Sequence, residues 1–131
     1  MTSEELLDSY YHGLAKKAGW DSVLAEDFEF VGGHNMTKPA PAIGKAAYQA
    51  VIDRFSRIFT AMRVKDRLVA KDRAYVLANY DYAFPNGRTA NGDVLEVGKI
   101  RNGKLAALTI FFDTAAFETL TQLYQLAAKS E

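Results

Sequence analysis

The N-terminal segment carries apolar residues at steps of three and four positions, a spacing that predicts an amphipathic helix. Thr2 and Glu5 have the T-x-x-E spacing of a capping box, so the helix is expected to begin directly after Thr2. Gly19 is expected to end it, because glycine is favoured just beyond a helix C-terminus. The apolar face of this helix consists of Leu6, Leu7, Tyr10, Tyr11, Leu14 and Ala18.

A short strand, a loop and a second helix are predicted next. Phe28 and Phe30 alternate with Glu29 and Val31, and this period of two predicts a strand that stops at Gly32-Gly33. Residues 34–43 contain two prolines and are predicted to form a loop. Residues 44–59 return to the helical spacing, which predicts a second amphipathic helix. Its apolar stripe consists of Tyr48, Val51, Ile52, Phe55, Ile58 and Phe59.

Beyond residue 59 apolar and polar residues alternate, which predicts an antiparallel sheet followed by a helix. Turn signals divide the segment at Lys71-Asp72, Pro85-Asn86-Gly87 and Asn102-Gly103. Asn-Gly pairs favour tight hairpins, because both central residues of a type I′ turn have positive φ. The predicted strands are 62–70, 74–84, 89–101 and 104–112, and the closing helix runs from Asp113 to about Ala128. This order predicts one α+β domain over residues 1–131.

The two faces of strand 74–84 differ in polarity, and we assign them to the inside and the outside of the domain. One face carries Leu77, Asn79, Asp81 and Ala83, and it is interpreted as the side of a pocket. The opposite face carries Val76, Ala78, Tyr80, Tyr82 and Phe84, and it is interpreted as the outer side. An aromatic outer face must be covered. We therefore expect a homodimer in which two sheets pack face to face.

Composition narrows the classes of partner. Sixteen basic and sixteen acidic residues give a formal net charge of zero, which argues against nucleic acid as the main partner. The chain has no cysteine, and its two histidines lie far apart, so neither a metal site nor a cofactor is expected. No segment approaches the roughly 18 consecutive apolar residues of a membrane span. We expect no membrane partner and a cytoplasmic location.

The order of elements resembles that of a known superfamily, as do the segments WDSVLAEDFEF and DVLEVGKIRNGKLAALTIFFD. The chain resembles the nuclear transport factor 2-like superfamily and, within it, SnoaL-like (polyketide cyclase-like) proteins, over essentially its whole length. The resemblance implies a cystatin-like cone in which a curved mixed or antiparallel sheet wraps around a long N-terminal helix, with a pocket at the wide end. Members include polyketide cyclases, isomerases, hydrolases and binding proteins without catalysis, so the fold leaves the function open.

The catalytic residues of characterised relatives are mostly missing when the resemblance is carried over position by position. The Asp-Arg-Asp set of limonene epoxide hydrolases falls on Asn79, Leu77 and Ile110, which argues against epoxide opening by that mechanism. Of the three groups of ketosteroid isomerases, only the tyrosine is retained, at Tyr10. The late aspartate of SnoaL cyclases has a counterpart only in Asp113, which is also placed to cap the closing helix.

Three residues are candidates for catalysis, each beside a structural alternative. Asp93 shares the face of Leu95 and Val97, where an apolar pocket would raise its pKa and suit it to act as a base; alternatively it lies open to water. His34 follows the first strand near the expected pocket mouth and could be a base at neutral pH, or merely an exposed loop residue. Tyr10 could donate a hydrogen bond to an oxyanion, or pack in the core.

The remaining candidates would bind the ligand. Asn79 and Asp81 share the face assigned to the pocket and would contact the ligand; alternatively, Tyr10 and Lys99 are their partners. The apolar lining is expected from Phe28, Phe30, Leu77, Leu95, Val97, Leu108, Ile110 and Phe112.

The predicted function is the binding of a small hydrophobic or partly polar metabolite, with cofactor-free proton-transfer chemistry of the isomerase, cyclase or dehydratase type. The alternative is a non-catalytic ligand-binding or dimerisation module, in which the polar pocket groups satisfy one another.

Overall fold

The computed structural model describes residues 1–32 and 41–112, with Phe112 described by its backbone. The helices are α1 (Ser3–Ala15) and α2 (Lys45–Phe55), with a 3₁₀ helix at Trp20–Val23. The strands are β1 (Leu24–Val31), β2 (Ala42–Ile43), β3 (Phe59–Ala70), β4 (Arg73–Ala83), β5 (Thr89–Arg101) and β6 (Lys104–Phe112). The closing helix predicted from Asp113, and the candidate base His34, lie outside the described residues.

Helix α1 begins as predicted and ends earlier than predicted. The capping box is present, because the Glu5 N–H donates to Thr2 Oγ1 at 3.1 Å and the Thr2 N–H donates to Glu5 Oε1 at 2.9 Å. The helix ends at Ala15 because Lys17, and not only Gly19, adopts a positive φ. Gly13 lies beneath the returning chain: a Cβ there would be 2.6 Å from the backbone nitrogen of Trp20. Any side chain at that position would force the two segments apart.

The sheet has the strand order β2-β1-β6-β5-β4-β3, with β1 and β6 parallel and the other neighbours antiparallel. The predicted meander of four strands is confirmed. Its last hairpin turns on Asn102 and Gly103, at φ 52° and 72°, as a type I′ turn requires. Strand β2 falls in the predicted loop, because two residues are too short to show a period. It pairs with Glu29 and Phe30 of β1.

Helices α1 and α2 cover one face of the sheet, which we call the inner face; the opposite one is the outer face. On β4 the inner face carries Val76, Ala78, Tyr80 and Tyr82, all buried. Phe55 of α2 packs its ring 5.4 Å from that of Tyr80. The prediction that this aromatic face lies outside is therefore wrong. The aromatic rings fill the space between the sheet and the apolar stripes of the two helices, which is where the core lies.

A β-bulge changes the side to which the residues of β3 point. Arg63 pairs with Asn79 and lies on the outer face, whereas Arg67, beyond the irregularity between Val64 and Asp66, pairs with Val76 on the inner side. Arg67 can therefore form an ion pair with Asp8 of α1. The bulge thus allows an ion pair between the edge strand β3 and helix α1.

Candidate functional site

A pocket opens on the inner face of the sheet, with walls from both helices and from strands β1, β4, β5 and β6. The space between its walls, including the open mouth, amounts to about 510 Å³. Phe30, Leu108 and Ile110 line it, as predicted from the sequence. The other lining residues are Leu14, Tyr48, Val51, Ile52, Phe55, Tyr80, Val94 and Glu96. Among these described residues, Glu96 is the single acidic or basic side chain.

Glu96 is buried in this apolar environment, with 2% of its surface exposed. Its Oε1 accepts a hydrogen bond from the Tyr11 hydroxyl at 2.8 Å, and its Oε2 accepts one from the Tyr80 hydroxyl at 2.7 Å. Burial raises the pKa of Glu96 to about 7, although both hydrogen bonds favour the ionised form and oppose the shift. Within the described residues no Lys, Arg or His side chain pairs with this carboxyl group. Glu96 can therefore exchange a proton near neutral pH.

A second polar pair lies in the same region. The hydroxyl oxygens of Tyr10 and Tyr48 are 2.5 Å apart, and both side chains are buried. Burial raises the pKa of each hydroxyl well above its usual value, so both stay protonated. Two hydroxyls share one hydrogen bond, which leaves one O–H free to donate elsewhere. Tyr48 lines the pocket and Tyr10 does not, so when Tyr10 donates to Tyr48, the free O–H belongs to the pocket-lining residue.

Phe28, a predicted lining residue, lies behind the pocket wall. It is fully buried, and its ring centroid is 4.7 Å from that of Tyr48. The ring of Phe30 packs on Tyr48 from the pocket side, at 4.9 Å. Two neighbouring inward residues of β1 thus hold the Tyr48 ring, one of them within the pocket and one beneath it.

Six predicted site residues lie on the outer face, away from the pocket: Leu77, Asn79, Asp81, Asp93, Leu95 and Val97. Their placement on the pocket side was wrong. The period of two correctly groups residues that share a face, but it does not say which face the helices cover. Once the aromatic face is inside, every residue of the opposite parity on β4 and β5 points outward. The Asp93 side chain is accordingly 48% exposed.

The polar residues of the outer face bind one another across three strands. The Asn79 side-chain amide donates to Asp93 Oδ1 at 2.7 Å, and Lys65 Nζ lies 3.1 Å from Asp93 Oδ2. The hydrogen bond from Asn79, followed by that from Lys65, lowers the pKa of Asp93. The expectation of a raised pKa for Asp93 is therefore wrong.

Asp81 has equivalent partners in the same outer-face group. Asn91 Nδ2 donates to Asp81 Oδ1 at 2.7 Å, and Arg63 Nη2 lies 2.5 Å from Asp81 Oδ2. These contacts lower the pKa of Asp81, with the Asn91 hydrogen bond the largest cause. Both outer-face aspartates are thus held as carboxylates by neighbouring side chains.

Sequence reasoning did not identify Glu96, Tyr48 or Tyr80 as polar groups of the site. The available signal was the period of two along β5. Glu96 shares its face of the strand with Val94, Gly98 and Ile100, so it is a charged residue in an otherwise non-polar row. Of the other predicted residues, Tyr10 is buried next to Tyr48 without lining the pocket. His34 and the side chain of Phe112 lie outside the described part of the structure.

The described residues contain no group of three or more His, Asp or Glu side chains placed to hold a metal ion. Within the same part of the chain, neither helix is long and apolar enough to cross a membrane.

The sequence matches no family model and no curated protein. Several solved structures are similar in fold. TerC, co-crystallised with polyporic acid, gives a TM-score of 0.77 at 23% identity and covers 93% of this chain and 97% of its own. A nuclear transport factor 2-like protein of unknown function from Burkholderia pseudomallei gives 0.79 at 21% identity, covering 92% and 98%. A candidate polyketide cyclase from Pseudomonas putida gives 0.72 at 22% identity, covering 89% and 96%.

At these identities the likeness concerns the fold. The chain has the α+β cone fold of nuclear transport factor 2-like and SnoaL-like proteins, with its mixed sheet against the N-terminal helix. The resemblance stated from the sequence is thereby confirmed for the architecture.

Proposed function

We propose that the pocket binds a small, mainly apolar molecule and that the carboxyl group of Glu96 transfers a proton on it. The observation that carries this proposal is a buried carboxyl group facing an open apolar pocket, held by two hydroxyls and by no cation of the described residues. Such a group is poised between its two protonation states, as a general acid or base requires. The neighbours named above, one crystallised with polyporic acid and one a candidate polyketide cyclase, support a small-molecule role.

The chemistry needs no cofactor. Ionised Glu96 accepts a proton from a carbon next to a substrate carbonyl. The electron pair of that C–H bond forms a C=C bond, and the π pair of the carbonyl moves onto its oxygen. The Tyr48 hydroxyl donates to the oxyanion so formed, while Tyr10 positions Tyr48. Return of the proton from Glu96 to another carbon, as the oxyanion re-forms the carbonyl, completes an isomerisation. Departure of a β-hydroxyl group, which takes up the Glu96 proton and leaves as water while the carbonyl re-forms, completes a dehydration instead. These are the reaction types expected from the sequence, with Glu96 in the role given to Asp93 and His34.

A non-catalytic binding protein is the second candidate, and one observation favours it. Glu96 accepts hydrogen bonds from Tyr11 and Tyr80, and Tyr10 and Tyr48 share one hydrogen bond, so each polar group of the pocket already has at least one partner inside the protein. In this case the pocket binds its ligand through the apolar walls, and Glu96 only shapes the site.

We also propose a homodimer. The aromatic face from which the sequence analysis expected it lies inside, so the proposal now depends on the aliphatic and aromatic side chains of the actual outer face. The outer face carries exposed apolar side chains on neighbouring strands, among them Leu68 at 64% and Phe111 at 52% exposure. Leu95 pairs with Phe111 on one side and Leu77 on the other, so this apolar half of the outer face is continuous. A patch of this kind on four strands is costly in water. We propose that a second copy of the chain packs on it.

The decisive experiment measures proton transfer separately from binding. A panel of small apolar ketones is incubated with the protein in D₂O, and exchange of the protons beside the carbonyl is followed by NMR. Glu96→Gln is expected to lower the exchange rate by roughly 10²- to 10⁴-fold while the ketone still binds. Asp93→Asn makes the same chemical change on the outer face and should leave the rate unchanged. Equal rates for wild type and Glu96→Gln would leave only the binding function.

A further inference from the structure

The walls around Glu96 are unusually rich in aromatic rings. Phe30, Tyr48, Phe55 and Tyr80 all line the same pocket as the carboxyl group. They form two pairs, with the Phe30 and Tyr48 centroids 4.9 Å apart and the Phe55 and Tyr80 centroids 5.4 Å apart at an interplanar angle of 70°. The faces of such rings attract cations that lie within about 6 Å of the ring centroid. Aromatic side chains of the kind that attract cations therefore line the same pocket as one acidic group.

Among the described residues, Glu96 lacks the cationic partner that several other carboxylates of the protein have. Asp93 pairs with Lys65, Asp81 with Arg63, and Asp8 with Arg67. Glu96 receives only the neutral hydroxyls of Tyr11 and Tyr80. An ionised carboxylate in an apolar site is costly without a positive partner. Within the described residues the protein supplies none, and the opening beside Glu96 is where a ligand could supply it.

We propose that the preferred ligands of this pocket are small organic cations of the alkylated ammonium class, with the positive charge between the aromatic rings and the Glu96 carboxylate. This rests on the proposed function, since it assigns a ligand class to the same pocket. The N-alkyl groups contact the rings and the aliphatic walls of Val51 and Val94. A primary ammonium fits less well, because burying its three N–H donors is costly where only Glu96 and two tyrosine hydroxyls among the described lining residues could accept them.

Binding of such a cation must depend on pH through Glu96. The groups that face this carboxyl are the hydroxyls of Tyr10 and Tyr11 from α1, Tyr48 from α2, and Tyr80 and Tyr82 from β4, together with Ile110 at the paired position of β6. The pKa of each of these tyrosines is raised by burial, so all five stay neutral through the physiological range. Ionisation of Glu96 is then the electrostatic event that couples to the ligand charge.

The test compares choline with 3,3-dimethylbutan-1-ol, a neutral molecule of the same shape in which carbon replaces nitrogen. Isothermal titration calorimetry on the full chain measures both at pH 5.5 and pH 8.5. Choline is permanently charged, so only the protein titrates. We expect choline to bind on the order of tenfold to thirtyfold more tightly at pH 8.5, as ionisation of one group with a pKa near 7 predicts, and more tightly than the alcohol there.

Glu96→Gln should remove the preference for choline and keep binding of the alcohol, whereas Asp93→Asn should change neither. Should Glu96→Gln fail to fold, the wild-type pH dependence decides alone. Equal or tighter binding of the alcohol by wild type at pH 8.5 overturns the cation proposal and leaves the proposed function standing. Binding of neither ligand also overturns the cation proposal; the ketone experiment then decides the proposed function separately.

Discussion

The two faces of the sheet shift the pKa values of their acidic residues in opposite directions, and strand β5 carries an example of each. Asp93 and Glu96 lie three positions apart on β5 and point to opposite sides. Asp93 is half exposed and holds hydrogen bonds from Asn79 and Lys65, which lower its pKa. Glu96 is buried between two tyrosine hydroxyls, and its burial raises the pKa to about 7. Residue type therefore says little about reactivity here, since solvent exposure and charged partners decide the protonation state.

The two faces also differ in whether their acidic residues can change protonation state. On the outer face, amides and cations fix the aspartates in one charge state, and such pairs serve mainly to order the surface. On the inner face, the protein provides hydroxyls but no cation of the described residues, so the carboxyl group remains able to gain or lose a proton. Groups with perturbed pKa values in pockets are candidates for functional sites.

Among variants that keep Glu96, the largest expected effect concerns the Tyr48 hydroxyl. Tyr48→Phe removes the donor that lines the pocket and should lower the rate of proton exchange from a bound ketone by about 10²- to 10³-fold. Tyr75→Phe removes a hydroxyl from a side chain of the outer face, 40% exposed, and serves as the matched control. Exchange rates are measured by NMR in D₂O at saturating ketone. A loss of the same size in both variants would contradict the assignment of Tyr48.

The next effect is a pH dependence of stability that belongs to the inner face. The pKa of Glu96 is raised from 4.5 to about 7 by folding, so its neutral form is the one that the folded state favours. The contribution of Glu96 to the free energy of unfolding is fully present below pH 4.5. It is lost as the pH rises through 7, which lowers the free energy of unfolding by about 3 kcal/mol. Urea denaturation at pH 5 and pH 8 should show this decline in wild type and not in Glu96→Gln.

Asp93→Asn is the matched control for this comparison. The dependence of stability on pH that comes from Asp93 has the opposite sign to that of Glu96 and lies at lower pH. The pKa of Asp93 is lowered, so its contribution is present above the unfolded pKa of about 3.8 and is lost as pH falls further. The variant should keep the wild-type decline between pH 5 and pH 8. A flat profile in Asp93→Asn would mean that the titrating group lies on the outer face.

The smallest effect on the pocket is expected from the apolar half of the outer face. Leu95→Asp places a charge in the centre of the patch and should shift a dimer toward the monomer, as measured by light scattering during size-exclusion chromatography. Ketone exchange per chain should stay close to that of wild type, because Leu95 does not line the pocket. A wild type that is already monomeric at high concentration would refute the dimer.

Much of the local structure follows directly from the sequence. The capping box of α1, the Asn102-Gly103 turn and the bounds of β5 and β6 were all predicted, because each depends on residues close together in the chain. Three apolar pocket residues, Phe30, Leu108 and Ile110, were also identified. The homodimer and the cytoplasmic location stay predictions.

Tertiary structure alone decided which side of the sheet is inside. Alternation divides β4 and β5 into two rows, but only the docking of α1 and α2 determines that the aromatic row faces the core. Glu96 meets Tyr11 across 85 positions of the chain, and Tyr10 meets Tyr48 across 38. Contacts at such separations leave no periodic trace in the sequence. The elements were therefore predictable from local physics, whereas the charge and reactivity of the pocket arise from packing between distant segments.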